Sequence, residues 1–153
     1  MAEIASGEEV ESKRNASIYY LVKRIGKQLN RTKLVKVLFI ADNRAKKKLN
    51  RTISGTTYVY LLYGPYSEDI IKSIEEMNGY EINEIFNSST KSYSYSETDM
   101  PRIDPMKILD RNEVEILDEV IKDHGEDSLH KILSYVYNLD CMKDTEPLDI
   151  VLS

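Results

Sequence analysis

The chain has no tryptophan, one cysteine, two histidines, two phenylalanines and four prolines in 153 residues. A single thiol, Cys141, excludes an internal disulfide. His124, His130 and Cys141 show no C-x-x-C or H-x-x-x-H spacing, so no metal site is expected. The glycines are scattered, and neither G-x-G-x-x-G nor a Walker loop occurs, which excludes a phosphate-cradling loop. There is no G-x-S-x-G. Cys141 and His130 lie about three turns apart on or near one predicted helix, too far to meet. No apolar run approaches the ~18 residues of a membrane span. No apolar signal region opens the chain, and cytoplasmic residence is expected. Taken together these absences predict a non-enzymatic protein with no catalytic residue, no cofactor and no membrane contact.

What is present is charge, unevenly spread. Residues 1–51 hold 13 Lys/Arg against 5 Asp/Glu, and residues 52–153 hold 8 against 21. Asp42 is the only acid between Ser12 and Arg51. Either the two halves neutralise each other across the fold, or one half faces a charged partner. The length suits one domain whose core needs no staples. Residues 1–12 are acidic, small and aperiodic, so a disordered leader over 1–12 and a single domain over 13–153 are expected.

Tyr58 to Ile71 organises the middle of the chain. Tyr58–Tyr63 is β-branched, aromatic and apolar, which predicts a strand covered on both sides. Gly64-Pro65 stops it. Ser67 is a helix N-cap, with Glu68 and Asp69 in the first turn. Ile70, Ile74 and Met77 then share a helical face, and Gly79 is placed for a C′ glycine. Upstream, Ile18, Leu21, Val22, Ile25 and Leu29 predict a helix over 14–29, and Leu34, Val37, Leu38 and Ala41 a second one capped by Thr32. Downstream, alternation about Asn87–Thr90 predicts a hairpin over 80–97. Asp110-x-x-Glu113 predicts a capping box. Asp127 or Ser128 is expected to cap a last helix, and the apolar tail 147–152 is placed to dock as an edge strand. The fold class is therefore α+β: a mainly helical domain with a small antiparallel sheet. Its order, helix-helix-strand-helix-hairpin, is winged-helix-like and is followed by two C-terminal helices.

Two kinds of surface are candidates. Eleven tyrosines against two phenylalanines is a choice favoured at protein interfaces, and Tyr58, Tyr60 and Tyr66 flank the central turn. A satisfied place in the core is the alternative for them. Lys36, Arg44, Lys47, Lys48 and Arg51, with Lys91 on the hairpin, could instead neutralise phosphates. A solvated helix end is the alternative there. The predicted recognition helix, 68–77, argues against the second surface, since it presents Glu68, Asp69, Glu75 and Glu76 against a lone Lys72.

Lys33-Leu34-Val35-Lys36-Val37-Leu38-Phe39, Gly55 and Tyr63-Gly64-Pro65-Tyr66-Ser67 together resemble the Panacea-domain family of SocA-like antitoxins. The likeness covers about residues 16–153. Lys33, Leu34, Lys36, Tyr63, Gly64 and Pro65 match its motif. The resemblance implies a domain that neutralises a cognate toxin by direct binding, or delivers it to a protease. The alternative is a winged-helix-like DNA-binding regulator using the basic N-terminal helices. Whether the chain forms a homodimer is left open.

Overall fold

A computed structural model describes residues 7–152 of the chain. Its central element is helix α2 (Arg31–Leu49), buried along Lys33–Asn43 and at Ala45. The cap is Asn30 rather than Thr32. Asn30 is extended (φ −90°, ψ 171°), and its side chain accepts the Lys33 amide hydrogen at 2.8 Å. That satisfies one of the unpaired donors of the first turn. At the other end Asn50 takes the left-handed conformation, φ 58°, which asparagine tolerates better than most residues.

Helix α1 (Gly7–Ile25) precedes α2 and passes into a 3-10 turn at Gly26–Gln28. The pattern-based start at residue 14 is too late. Residues 7–12 of the expected leader form the first turns of α1, and residues 1–6 lie outside the described residues. The difference is tertiary in origin. Val10 packs over Gly55, where a Cβ would approach its Cγ1 to 2.4 Å. Gly55 also has φ +61°, so both space and backbone demand glycine.

The expected six-residue central strand is instead a hairpin. Strand β1 (Tyr58–Leu61) turns through Leu62-Tyr63 into β2 (Gly64–Tyr66), with Leu61 opposite Gly64 and Val59 opposite Tyr66. Gly64 at φ +89° lets the chain reverse there. Pro65 is tolerated because β2 is an edge strand in the order β2-β1-β5. Strand β5 (Ile150–Val151) pairs antiparallel with β1, as the apolar tail predicts. Only Tyr58 of β1 is fully buried; Val59, Tyr60 and Leu61 are half-buried.

Helix α3 (Glu68–Met77) is capped by Ser67, whose hydroxyl accepts the Asp69 amide hydrogen at 3.1 Å. Ile70, Ile74 and Met77 are buried beneath it. Strands β3 (Ile82–Asn87) and β4 (Ser92–Glu97) form the expected hairpin, with Glu84 opposite Tyr95. This hairpin is tied back to the helices. The Tyr95 ring is buried, and Arg31 bridges from α2 to the Tyr95 hydroxyl and to Glu84 (3.2 and 2.8 Å). From α1 the Tyr19 hydroxyl donates to Glu97 at 2.7 Å.

Short helix α4 (Pro105–Ile108) leads to α5 (Arg111–His124), α6 (Leu129–Tyr137) and α7 (Asp140–Lys143). The Asp110/Glu113 capping box opens α5 with both reciprocal bonds, and Ser128 caps α6. The fold is an α+β, mainly helical single domain with small antiparallel sheets. Helices α5 and α6 lie against α2. Among the described residues no helix is long and apolar enough to cross a membrane.

Candidate functional site

The two motif lysines of α2 are three residues apart, so they share a helix face. Both are 3 % exposed, yet they meet different fates. The Lys33 ammonium donates to the Gly125 carbonyl at 2.6 Å. That carbonyl is at the C-terminal end of α5, where a cation is favoured. Burial lowers the Lys33 pKa, while Asp127 and Glu126 act in the opposite direction. Lys36 has no hydrogen-bond or ion-pair partner among the described residues, and burial alone pushes its pKa down to about 8.

Lys36 runs beneath the β1–β2 turn. A Cβ on Gly64 would lie 3.8 Å from its Cε, 3.8 Å from Leu133 Cδ2 and 3.9 Å from Tyr137 Cζ. Those are ordinary contacts, so it is the positive φ rather than lack of room that requires glycine here. The turn is pinned from α6: the Tyr137 hydroxyl donates to the Leu62 carbonyl at 3.1 Å, and the Tyr137 ring packs against Tyr60 with centroids 6.1 Å apart. Pro65 is buried. The side chains at the tip point outward, with Leu62 82 % and Tyr63 65 % exposed. Between the turn and the first turns of α2 lies a pocket of about 290 Å³, lined by Val35, Lys36, Leu61, Tyr63 and Tyr66 among others. Four of the six motif residues therefore concentrate near one place. Lys33 is on the side of α2 that meets α5, Leu34 is core, and Lys36, Tyr63, Gly64 and Pro65 build the turn and its pocket.

The three tyrosines proposed from the sequence separate. Tyr58 is no part of any surface: it is fully buried, with its ring edge-on to Phe39 at 5.0 Å. Its hydroxyl donates to Asp42 at 2.7 Å. Tyr60 is half-buried against Tyr137, and Tyr66 is half-buried in the pocket wall. Asp42 is a structural hub that sequence reasoning missed. Its carboxylate is fully buried and accepts from the Ile53 and Ser54 amides (2.9 and 3.0 Å), the Ser54 hydroxyl (2.5 Å) and Tyr58. Burial raises its pKa and those four donors oppose the rise. The available signal was a lone acid on the apolar face of a basic helix.

Half of the basic cluster is paired with carboxylates, although Lys48 and Arg51 remain exposed. Arg44 pairs with Glu119 and Asp123 at 3.2 and 2.9 Å, and Lys48 with Glu119 at 2.9 Å. Arg51 reaches Asp110 at 2.9 Å and the buried Glu113 at 2.7 Å, which Lys13 joins at 3.0 Å. Lys36 is buried and so offers nothing to a phosphate backbone. Lys47 is exposed, and Lys91 is exposed in the β3–β4 turn at φ 51°. Part of the asymmetry of the sequence is thus neutralised across the fold, where Lys13, Arg24, Arg44 and Lys48 of α1 and α2 pair with acids of α5.

A family model described as antitoxin SocA-like, Panacea domain, matches residues 34–141. Neither a curated protein nor a solved structure matches the chain. The matched segment opens inside α2 and carries the Tyr63-Gly64-Pro65 turn, α3, the β3–β4 hairpin, α5 and α6. It spans well over half of the sequence, and the chain belongs to the SocA-like antitoxin family with a Panacea domain.

Proposed function

We propose that this chain is a non-catalytic, antitoxin-type domain that binds a toxin-like protein directly, with the β1–β2 turn at the centre of the contact. The supporting observation is the turn itself. Leu62 and Tyr63 are exposed, yet the backbone beneath them is fixed by Gly64, Pro65 and the Tyr137 hydroxyl. A rigid apolar tip loses little freedom when it is covered, and tyrosine is a frequent binding hot spot. Tyr60 and Tyr66 support the tip from below.

The test is co-expression with the protein encoded beside this chain, scored by growth rescue and by co-purification. Leu62→Asp and Tyr63→Ser should each weaken the complex at least about tenfold, as hot-spot losses do, with an unchanged unfolding midpoint. Equal binding by both variants would overturn the placement of the contact. No rescued and no retained protein would overturn the reading as a whole.

DNA binding through Arg44, Lys47, Lys48, Arg51 and Lys91 has weaker support, because three of these five cations are already paired with carboxylates. Five phosphate contacts would give a slope of log affinity against log salt of about −4 to −5. The protein-binding reading expects duplex affinity to be weak and that slope to be shallow.

A further inference from the structure

Contact through Leu62 and Tyr63 leaves one feature unexplained. Lys36 holds an ammonium almost wholly out of water with no partner among the described residues. Lys33, equally buried, has a carbonyl. The only fully enclosed side-chain polar atom without a partner among the described residues is Asn15 Oδ1, so the Lys36 ammonium still touches open space. Lys36 is one of the residues that line the 290 Å³ pocket beneath the turn. An unpaired buried charge is costly, and here the groups that would relieve it are missing from the walls. No acid lines the pocket. The other cation, Arg31, is committed to Glu84 and Tyr95. The first turn of α2 adds its own partial positive charge at the rim.

We propose that this pocket receives a carboxylate from the bound protein: an acidic side chain, presented next to an apolar residue, that pairs with the Lys36 ammonium. This rests on the protein-binding reading and specifies the chemistry of the partner. The apolar neighbour lies on Val35, Leu61 and Tyr63, which form the greasy part of the wall. A carboxylate suits the site better than a phosphate. Phosphate sites converge several donors, often guanidinium forks, whereas Lys36 is a single point charge among apolar walls. The volume holds a side chain or two rather than a nucleotide, since it is at the lower end of small-ligand sites.

The probe is a capped dipeptide, acetyl-Leu-Glu-amide, with acetyl-Leu-Gln-amide as its uncharged isostere and hexyl phosphate as the competing anion. Each is titrated into the full chain with labelled lysines, and the Lys36 side-chain resonances are followed by NMR. The Glu peptide should give a saturable shift and raise the Lys36 titration midpoint above about 8. The Gln peptide should bind at least about tenfold more weakly, as loss of a charged hydrogen bond predicts. In Lys36→Met the preference for Glu should vanish while backbone amide shifts away from the pocket stay unchanged. Lys36→Arg should restore part of the preference.

Indistinguishable Glu and Gln peptides, a preference that survives in Lys36→Met, or tighter binding of hexyl phosphate would each overturn the proposal. So would a captured protein partner that holds Lys36→Met as tightly as the wild type, although the protein-binding reading would then stand. A Glu preference that disappears in Lys36→Met, with no protein ever captured, supports the carboxylate site and overturns the protein-binding reading instead.

Discussion

Removing the charge of Lys36 should make the protein more stable. Burial takes this ammonium from an ordinary pKa of 10.5 to about 8. At 1.36 kcal/mol per pH unit, that drop is a penalty of about 3 kcal/mol on the folded state. Methionine keeps the length and flexibility of the stem, so Lys36→Met should recover roughly that amount without opening a cavity. For a domain of this size, about 3 kcal/mol corresponds to roughly 6–12 °C in Tm. The pH dependence gives the argument its sign. Below about pH 8 Lys36 is charged in both the folded and the unfolded chain, and the penalty is complete. Between about 8 and 10.5 the folded state releases its proton first, so wild-type stability rises with pH relative to the variant. Above 10.5 Lys36 is neutral in both states and the penalty is gone. Urea unfolding of both proteins at a series of pH values from neutral to alkaline checks this directly. The advantage of the variant should be largest near neutrality and shrink through that alkaline window. No advantage at neutral pH, or one that stays constant through the window, would refute the reasoning. A stabilising change that also weakens binding would identify Lys36 as a residue kept for function at a cost in stability.

Asp42→Ala should be among the most damaging substitutions in the chain. It strands the Ile53 and Ser54 amides and the Tyr58 hydroxyl in the interior, and leaves the Ser54 hydroxyl with Thr56 alone. The expected loss is about 3–5 kcal/mol by urea unfolding, and a loss under about 1 kcal/mol would contradict the hub role. Glu113 separates a cap from a charge. Its Oε1 accepts the Asp110 amide hydrogen, while its Oε2 takes Lys13 and Arg51. Glu113→Gln can keep the first contact but points an amide group at two cations. It should therefore cost about 2 kcal/mol, close to Glu113→Ala. A near-neutral Gln variant would mean that the cap alone matters.

Local chemistry made much of the architecture legible from the sequence. Ser67, Ser128 and the Asp110/Glu113 pair cap the helices they were expected to cap, because a cap is an interaction within a few residues. Helix α3 and the β3–β4 hairpin follow their periodicities for the same reason, whereas Gly64, expected to end a strand, instead opens β2 after the reversal at Leu62-Tyr63. The family was also readable, because its motif consists of short runs of residue types that need no knowledge of the tertiary contacts. The tertiary structure decided everything that depends on distant neighbours. Val10 extends α1 into an aperiodic stretch because Gly55 lies beneath it. Tyr58 is core and Tyr63 is surface because Asp42 and Phe39 meet only the first. The basic cluster loses its reach because α5 brings acids to Arg44, Lys48 and Arg51. Lys33 and Lys36 are chemically identical and three residues apart, yet only Lys33 finds a carbonyl. Which of two like side chains is paired and which is left open to a pocket depends on packing from α5 and the β1–β2 turn, and that information is not local to α2.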